Sequence, residues 1–373
     1  MTTRSPTTQL TSTDPAPATG PTSATGPTSA TGPTQRPITD QQWNSLLRHR
    51  ALHPEAVSAA YASRQRPQQL VSERGTLFLI AADHAARGAL GTGRDPMAMA
   101  DRRGLLDRLL TALSHPSVDG LLGSPDVVEE LLLLGALENK VVIGSMNRGG
   151  LAGASWEIDD RFTGYDVPGI AAAGLEGGKM LLRLDDNDPG TRFTLQACAQ
   201  AVSGLARQGL MAMVEPLPYT RGESGDLVQQ RDSPALARAV TVASALGSTS
   251  AHTWLKLPAC DDPETVLGAT TLPCVVLGGV PGADPGADLD NWGRSLRHPA
   301  SRGLVIGRAL LYPADGDVYA AVEAAAELLR ASTPFEPVPL AEPGPSFESG
   351  PSFESGPSFE SGPSLGSGRT DVG

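Results

Sequence analysis

The segment Thr253-Trp254-Leu255-Lys256-Leu257-Pro258 sets a lysine between two leucines in an apolar run. Charged side chains are rarely buried without a task or a partner. Strand alternation puts Trp254 and Lys256 on one face and Leu255 and Leu257 on the other. On an interior face, desolvation would favour the neutral amine, the form that attacks a carbonyl. Only three of the 29 lysine and arginine residues are lysines, Lys140, Lys179 and Lys256, so arginine serves wherever a plain positive charge suffices. An ion-paired structural lysine is the competing reading.

Other reactive residues stand at the ends of apolar runs. Ala81-Ala82-Asp83-His84 offers an acid–imidazole pair for proton transfer or for holding hydroxyls, although a helix cap would use the same residues. Val214-Glu215-Pro216-Leu217-Pro218-Tyr219-Thr220-Arg221 places a carboxylate at a strand end. A phenol and a guanidinium follow on what reads as a rigid loop. Leu277-Gly278-Gly279 and Ile306-Gly307-Arg308 put glycines where backbone N–H groups can approach a phosphate, with Arg308 adding charge. In Lys179-Met180-Leu181-Leu182-Arg183-Leu184-Asp185, alternation gives Lys179, Leu181 and Arg183 one face. Arg183 is a candidate for an anionic group, and Asp185 for orienting Lys256. Lys179 is either a second functional amine or a buried ion-pair partner.

These residues need strands to carry them. Eight short apolar runs, at 77–82, 118–122, 140–144, 179–184, 210–214, 253–257, 274–278 and 303–307, are mostly bounded by Gly, Pro, Asp or Asn. Helical patterns fill most gaps, at 97–113, 126–137, 193–207, 234–246, 263–269, 289–296 and 318–329. The connection 145–178 is the exception: it is Gly-rich, with a brief helix near 168–173. Eight strand–helix units with strands apolar throughout indicate an α/β fold, a (β/α)8 TIM barrel; an open doubly wound sheet is the rival. Residues 41–48 and 54–63 read as extra N-terminal helices that could plug the base of the barrel. Catalytic groups of such barrels come from the C-terminal strand ends, where these candidates stand.

The barrel occupies residues 36–339 of the 373. Residues 1–35 carry Ala-Thr-Gly-Pro-Thr-Ser repeats, and 340–373 carry Gly-Pro-Ser-Phe-Glu-Ser repeats before a Gly/Ser tail. Both bury too little apolar surface to offset their ordering entropy and read as disordered termini. A formal charge of −12 argues against nucleic acid or an anionic membrane as partner. No signal-like segment and no apolar run of about 20 residues is found. Three cysteines without metal-ligand spacing fit a reducing cytoplasm.

Taken in order, these features resemble the class I, Schiff-base aldolases of the deoxyribose-phosphate, tagatose-bisphosphate and archaeal-type fructose-bisphosphate superfamily. The resemblance spans roughly residues 75–330. It rests on Asp83-His84 after strand one, Lys256 in strand six, and the glycines after strands seven and eight. Tyr219-Thr220-Arg221-Gly222 is also similar to the Tyr-Pro-Arg-Gly of the archaeal-type enzymes. Two features depart from the pattern. Strand seven, Cys274-Val275-Val276-Leu277, lacks the second lysine of deoxyribose-phosphate aldolases, and Pro258-Ala259-Cys260 replaces a tyrosine-containing sequence.

The resemblance implies a metal-independent lyase without cofactor, acting on a phosphorylated keto sugar or keto sugar acid in carbohydrate or polyol breakdown. Lys256 would form the imine, with Tyr219 or Glu215, together with Asp83, moving protons. His84, Arg183, Arg221, Gly278, Gly279, Gly307 and Arg308 would bind substrate and phosphate. It further implies a homo-oligomer. Of the six histidines only His84 lies clearly at a C-terminal strand end, so no metal site is expected. The alternatives are another Schiff-base barrel enzyme, a transaldolase or a thiolase-like acyl transferase, or a non-catalytic barrel that binds sugar phosphates.

Overall fold

In the computed structural model, residues 38–332 are described, apart from 94, 224 and 280–283. The two repeat tails at 1–35 and 340–373 lie outside the described residues. Eight parallel strands close into a barrel: β1 (Leu77–Ala82), β2 (Gly120–Gly123), β3 (Val141–Ser145), β4 (Gly177–Leu184), β5 (Met211–Arg221), β7 (Thr253–Pro258), β8 (Cys274–Leu277) and β9 (Ser301–Ile306). Each pairs with its neighbours in that order, and β9 returns to β1. A ninth strand, β6 (Leu227–Gln229), folds back antiparallel on the outer end of β5, pairing Tyr219 with Gln229. Where a loop is expected after Val214, β5 therefore continues as one arm of a hairpin. Glu215, Leu217 and Tyr219 consequently share one face, which lines the site cavity.

The helices between the barrel strands begin where the sequence offers caps. Asp101, Asp232 and Asp262 accept backbone N–H groups at the starts of α3 (Arg102–Leu113), α7 (Ser233–Ser244) and α8 (Pro263–Leu267). Ser124-Pro125 opens α4 (Pro125–Leu133) with proline in the first turn. That helix stops short of the expected 137 because Gly135 adopts φ 69° and turns the chain. Further round lie α5 (Val167–Ala172), α6 (Gly190–Arg207), α9 (Pro285–Leu296), the short α10 (Arg308–Leu311) and α11 (Val318–Ala331).

Two separate apolar cores follow from strand alternation. Outward residues such as Phe78, Ile80, Val142, Met180 and Val214 pack against the helices. Inward residues Leu77, Leu79, Val141, Ile143, Met211, Met213, Val275 and Val305 fill the barrel. Trp254 faces this inner cluster at the base, as alternation with Lys256 requires. The base is covered by the segment carrying Leu70 and Val71, which packs on the same cluster. This corrects the expectation of a helical plug. The N-terminal helices α1 (Asp40–Leu52) and α2 (Glu55–Ser63) lie outside the barrel instead. Arg50 of α1 pairs with Glu129 of α4, and Tyr61 of α2 bonds Tyr165 at 2.6 Å. Leu46 is the only buried residue of α1 and α2 has none, as befits helices on the outer surface. No helix among the described residues is long and apolar enough to cross a membrane.

Candidate active site

At the C-terminal end of the barrel, a cavity of about 190 Å³ is lined by residues from β1, β4, β5, β7, β8 and β9 and from the loops above them. A larger, more apolar hollow beside α9 and α10 is lined by Trp292, Tyr312 and Ala321 and holds none of the candidate groups. Lys256 reaches the smaller cavity from β7 and is 4% exposed. Its Nζ donates to Glu215 Oε1 at 2.6 Å. The other oxygen of Glu215 pairs with Lys179, a fully buried residue of β4. Lys179 Nζ also lies 3.5 Å from Asp83 Oδ2. A single carboxylate thus bridges two ammonium groups, and a second carboxylate backs the deeper one. Burial in this wall is tolerated because each charge has a partner.

Asp83 is fully engaged. Its Oδ2 accepts from Ser145 Oγ at 2.9 Å and pairs with Arg148. Burial would raise its carboxyl, but Arg148 and Lys179 outweigh that and hold it well below the usual carboxylate range. Glu215 follows the same balance: burial raises it, and Lys179 and Lys256 pull it far down. Burial, with Arg148 beside it, lowers the Lys179 amine. His84 lines the cavity as a neutral imidazole, because burial holds it well below its ordinary value and Arg308 and Arg148 oppose protonation further. Burial raises the Tyr219 phenol against the pull of Arg183, whose guanidinium sits 5.8 Å from the ring, so Tyr219 is protonated at neutral pH.

Gly278, Gly279, Gly307 and Arg308 line the far side of the cavity together. Gly307 is required sterically, since a Cβ there would meet the Ala81 carbonyl and lie 2.7 Å from His84 Cε1. Among the described residues Arg308 has no carboxylate partner, and its Nε is buried without a hydrogen bond, as is His84 Nδ1. The cavity corner between β1 and β9 therefore holds an unused guanidinium donor beside an unpaired ring nitrogen.

Three expected roles are not supported by position. Arg183 lines the cavity, but its donors are held by Asp160, Glu157 and the carbonyls of Gly150 and Glu157. Arg183 is thus a clamp on the third loop. Arg221 lies outside the cavity, exposed at the tip of β5, bonded to Asp188 at 2.8 Å. Hairpin pairing carries it there: Tyr219 faces in, Thr220 faces out, and by Arg221 the strand has left the mouth. Asp185 accepts from the N–H of Asn187 at 3.0 Å in its own turn and does not orient Lys256.

Other residues of the site were not singled out from sequence. Arg148 lines the cavity from the long 145–178 connection, whose Glu157 and Asp160 hold Arg183; Arg87 ends η1 (Ala85–Arg87), and Gln229 and Arg231 come from the β6 hairpin. Arg148 was discoverable: Ser145-Met146-Asn147-Arg148 leaves the third barrel strand, where the strand-end rule applies. Glu157, Asp160 and Arg231 carry no local signal.

A barrel of this form is shared with solved fructose-bisphosphate aldolases. An archaeal fructose 1,6-bisphosphate aldolase matches 74% of this chain and 100% of its own, at TM-score 0.55 and 17% identity. Fructose-bisphosphate aldolase from Slackia heliotrinireducens matches at TM-score 0.50 and 14% identity, over 83% of this chain and 96% of its own. At these identities the likeness is one of fold. A much higher identity, 44%, is found to Cgl0159 from Corynebacterium glutamicum (Brevibacterium flavum), with TM-score 0.76 over 79% of this chain and 98% of that one. The Cgl0159-like family model matches residues 75–326, and the chain belongs to that family. No curated protein matches it.

Proposed function

We propose that the protein is a class I aldolase that cleaves a phosphorylated keto sugar or keto sugar acid through an imine on Lys256. The observation that carries this reading is that Lys256 is the lysine lining the cavity, while Lys179 lies behind Glu215 and has no face on it. A buried amine facing a small polar cavity at a barrel's catalytic end is suited to carbonyl attack, and its ion partner is in place to take up a proton.

In this mechanism Lys256 passes its extra proton to Glu215 and adds as the neutral amine to the substrate ketone. Tyr219, a protonated phenol in the same cavity, donates to the carbonyl oxygen and recovers a proton from the adduct nitrogen; Glu215 then returns its proton to the departing hydroxyl. Loss of water leaves the iminium, a much stronger electron sink than the ketone. Glu215, ionised between the two lysines, takes the proton of the hydroxyl two carbons from the iminium carbon, and the bond between the hydroxyl-bearing carbon and the carbon next to the iminium breaks to leave the enamine. The phosphate sits against Gly279, Gly307 and Arg308, where backbone groups approach closely and the guanidinium has no carboxylate of its own. Arg231 and Arg308 on the wall of this small cavity oppose the protein's net charge of −12 and favour an anion there.

The test is intact-mass analysis after borohydride reduction with a panel of ketose phosphates and dihydroxyacetone phosphate, followed by peptide mapping. A stable adduct on Lys256 that is lost in Lys256→Met is expected. An adduct on Lys179 would move the nucleophile to β4. No adduct from a folded protein that still binds phosphosugars would replace the lyase with a sugar-phosphate-binding barrel.

A further inference from the structure

Arg148 is held more tightly than any loop position needs to be. The preceding residue, Asn147, docks on the backbone of β4, its Oδ1 accepting from Leu181 N–H at 2.6 Å and its Nδ2 donating to Leu181 O at 2.6 Å. This turns Arg148 into the cavity, where one Nη meets Asp83. Asp83 is itself fixed by Ser145 and faces Lys179. The Arg148 side chain is 8% exposed and shares the cavity wall with Lys256 and Glu215. Its Nε is buried and has no hydrogen-bond partner.

A buried N–H without a partner is costly. The charge balance points the same way, because Lys179, Lys256 and Arg148 face only Asp83 and Glu215 in this wall. One negatively charged oxygen in the cavity would satisfy both the donor and the excess charge. We propose that Arg148 is a catalytic residue: its Nε–H receives the substrate oxygen that carries negative charge as its proton passes to Glu215, before the carbon–carbon bond breaks.

This rests on the Schiff-base reading. The hydroxyl proton passes to Glu215, and the electrons of the O–H bond become the second bond of the released aldehyde's carbonyl. The carbon–carbon pair moves into the iminium and leaves the enamine on Lys256. No other reagent is consumed. Arg148 keeps its protons throughout and acts as a preorganised donor to the oxyanion. Asp83 then acts as the brace for that guanidinium, its Oδ2 held by Arg148, Lys179 and Ser145 together.

The experiment separates imine formation from carbon–carbon chemistry, with dihydroxyacetone phosphate as the donor probe. Borohydride trapping reads the imine, exchange of the donor's C–H with heavy water reads the enamine, and condensation with a panel of aldehydes reads bond formation. Arg148→Gln is expected to keep trapping and exchange within about threefold and to lose on the order of 10²–10³ in condensation, the scale of one oxyanion donor. Arg148→Lys preserves the charge beside Asp83 but has no Nε–H. It should fold even if the glutamine variant does not, and should lose condensation by at least about tenfold. Equal loss of trapping, exchange and condensation in a variant that melts like the wild type would mean that Arg148 only holds the lysine network. Undiminished condensation would overturn the proposal as well. A wild-type protein that traps no donor would remove the Schiff-base reading itself, a result separate from either.

Discussion

Glu215 is the residue on which the charge arrangement of the site turns. Among the described residues it alone bonds both Lys179 and Lys256, and its loss would strand Lys256 and leave Lys179 with Asp83 alone. Glu215→Gln is expected to cost about 3–5 kcal/mol, the scale for breaking a buried pair from one side, as read by denaturant unfolding. It should also lower carbon–carbon cleavage far more than donor binding. The pH dependence follows from the direction of the shifts. Asp83 and Glu215 both ionise at lower pH in the folded protein than in the unfolded chain. Their stabilisation is therefore fully present above the unfolded carboxylate range, near pH 4, and is lost as the pH falls through it towards the folded values. The stability gap between wild type and Glu215→Gln should be constant from pH 6 to about 5 and narrow below about 4. A gap that widened on acidification would contradict the buried bridge.

At the scale of elements, the third connection matters most. It leaves β3 as Ser145-Met146-Asn147-Arg148, is pinned by Asn147 to β4, and is closed by Arg183 reaching across to Asp160, Glu157 and the Gly150 carbonyl. Asp160 is completely buried, so its charge depends on that arginine. Arg183→Ala should therefore destabilise the protein by about 3–5 kcal/mol and expose the segment 149–162 to proteolysis, while Arg183→Lys restores part. Gly150 has a related role, because a Cβ there would strike the Glu157 carbonyl and the Arg183 guanidinium. Gly150→Ala is expected to reduce catalysis through displacement of Arg148 with a smaller loss in melting temperature. If limited proteolysis of Arg183→Ala showed no new cleavage in this loop, the clamp would not be what holds it.

Over the whole molecule, barrel closure, the inner core and the outer core are complete within residues 38–332. The last helix is tied back to the start of the barrel by Arg74, which donates to the carbonyls of Arg330 and Ser332 at 3.0 and 3.1 Å. His115, buried at the end of α3, bonds Glu323 of α11 at 2.6 Å and secures the same closure. A chain trimmed to 38–332 is expected to melt within about 2 °C of the full length, a shift of about 1 kcal/mol for a domain of this size, and to keep trapping at Lys256. A large drop in melting temperature would assign the repeat tails a structural part.

Much of this was legible in the sequence. The eight barrel strands were, because a strand buried on both faces must be apolar along its length and loops must interrupt it. Strand alternation correctly put Lys179, Leu181 and Arg183 on one face, and Trp254 with Lys256 on another. Inward Lys256 was legible because a lone lysine between leucines has no cheap alternative. The sequence did not reveal which charges cancel. Arg183 read as a free cation because Asp160 and Glu157, which neutralise it, sit more than 20 residues away in a connection without periodicity. Arg221 read as a site residue because nothing local shows that β5 runs on and pairs with β6. The pairing of Arg148 with Asp83 and the bridging of two lysines by Glu215 needed the closed barrel, which brings the ends of β1, β3, β4, β5 and β7 within hydrogen-bond range. Residue types and strand periodicity are local properties of the chain, whereas ion pairing across a barrel is decided by closure.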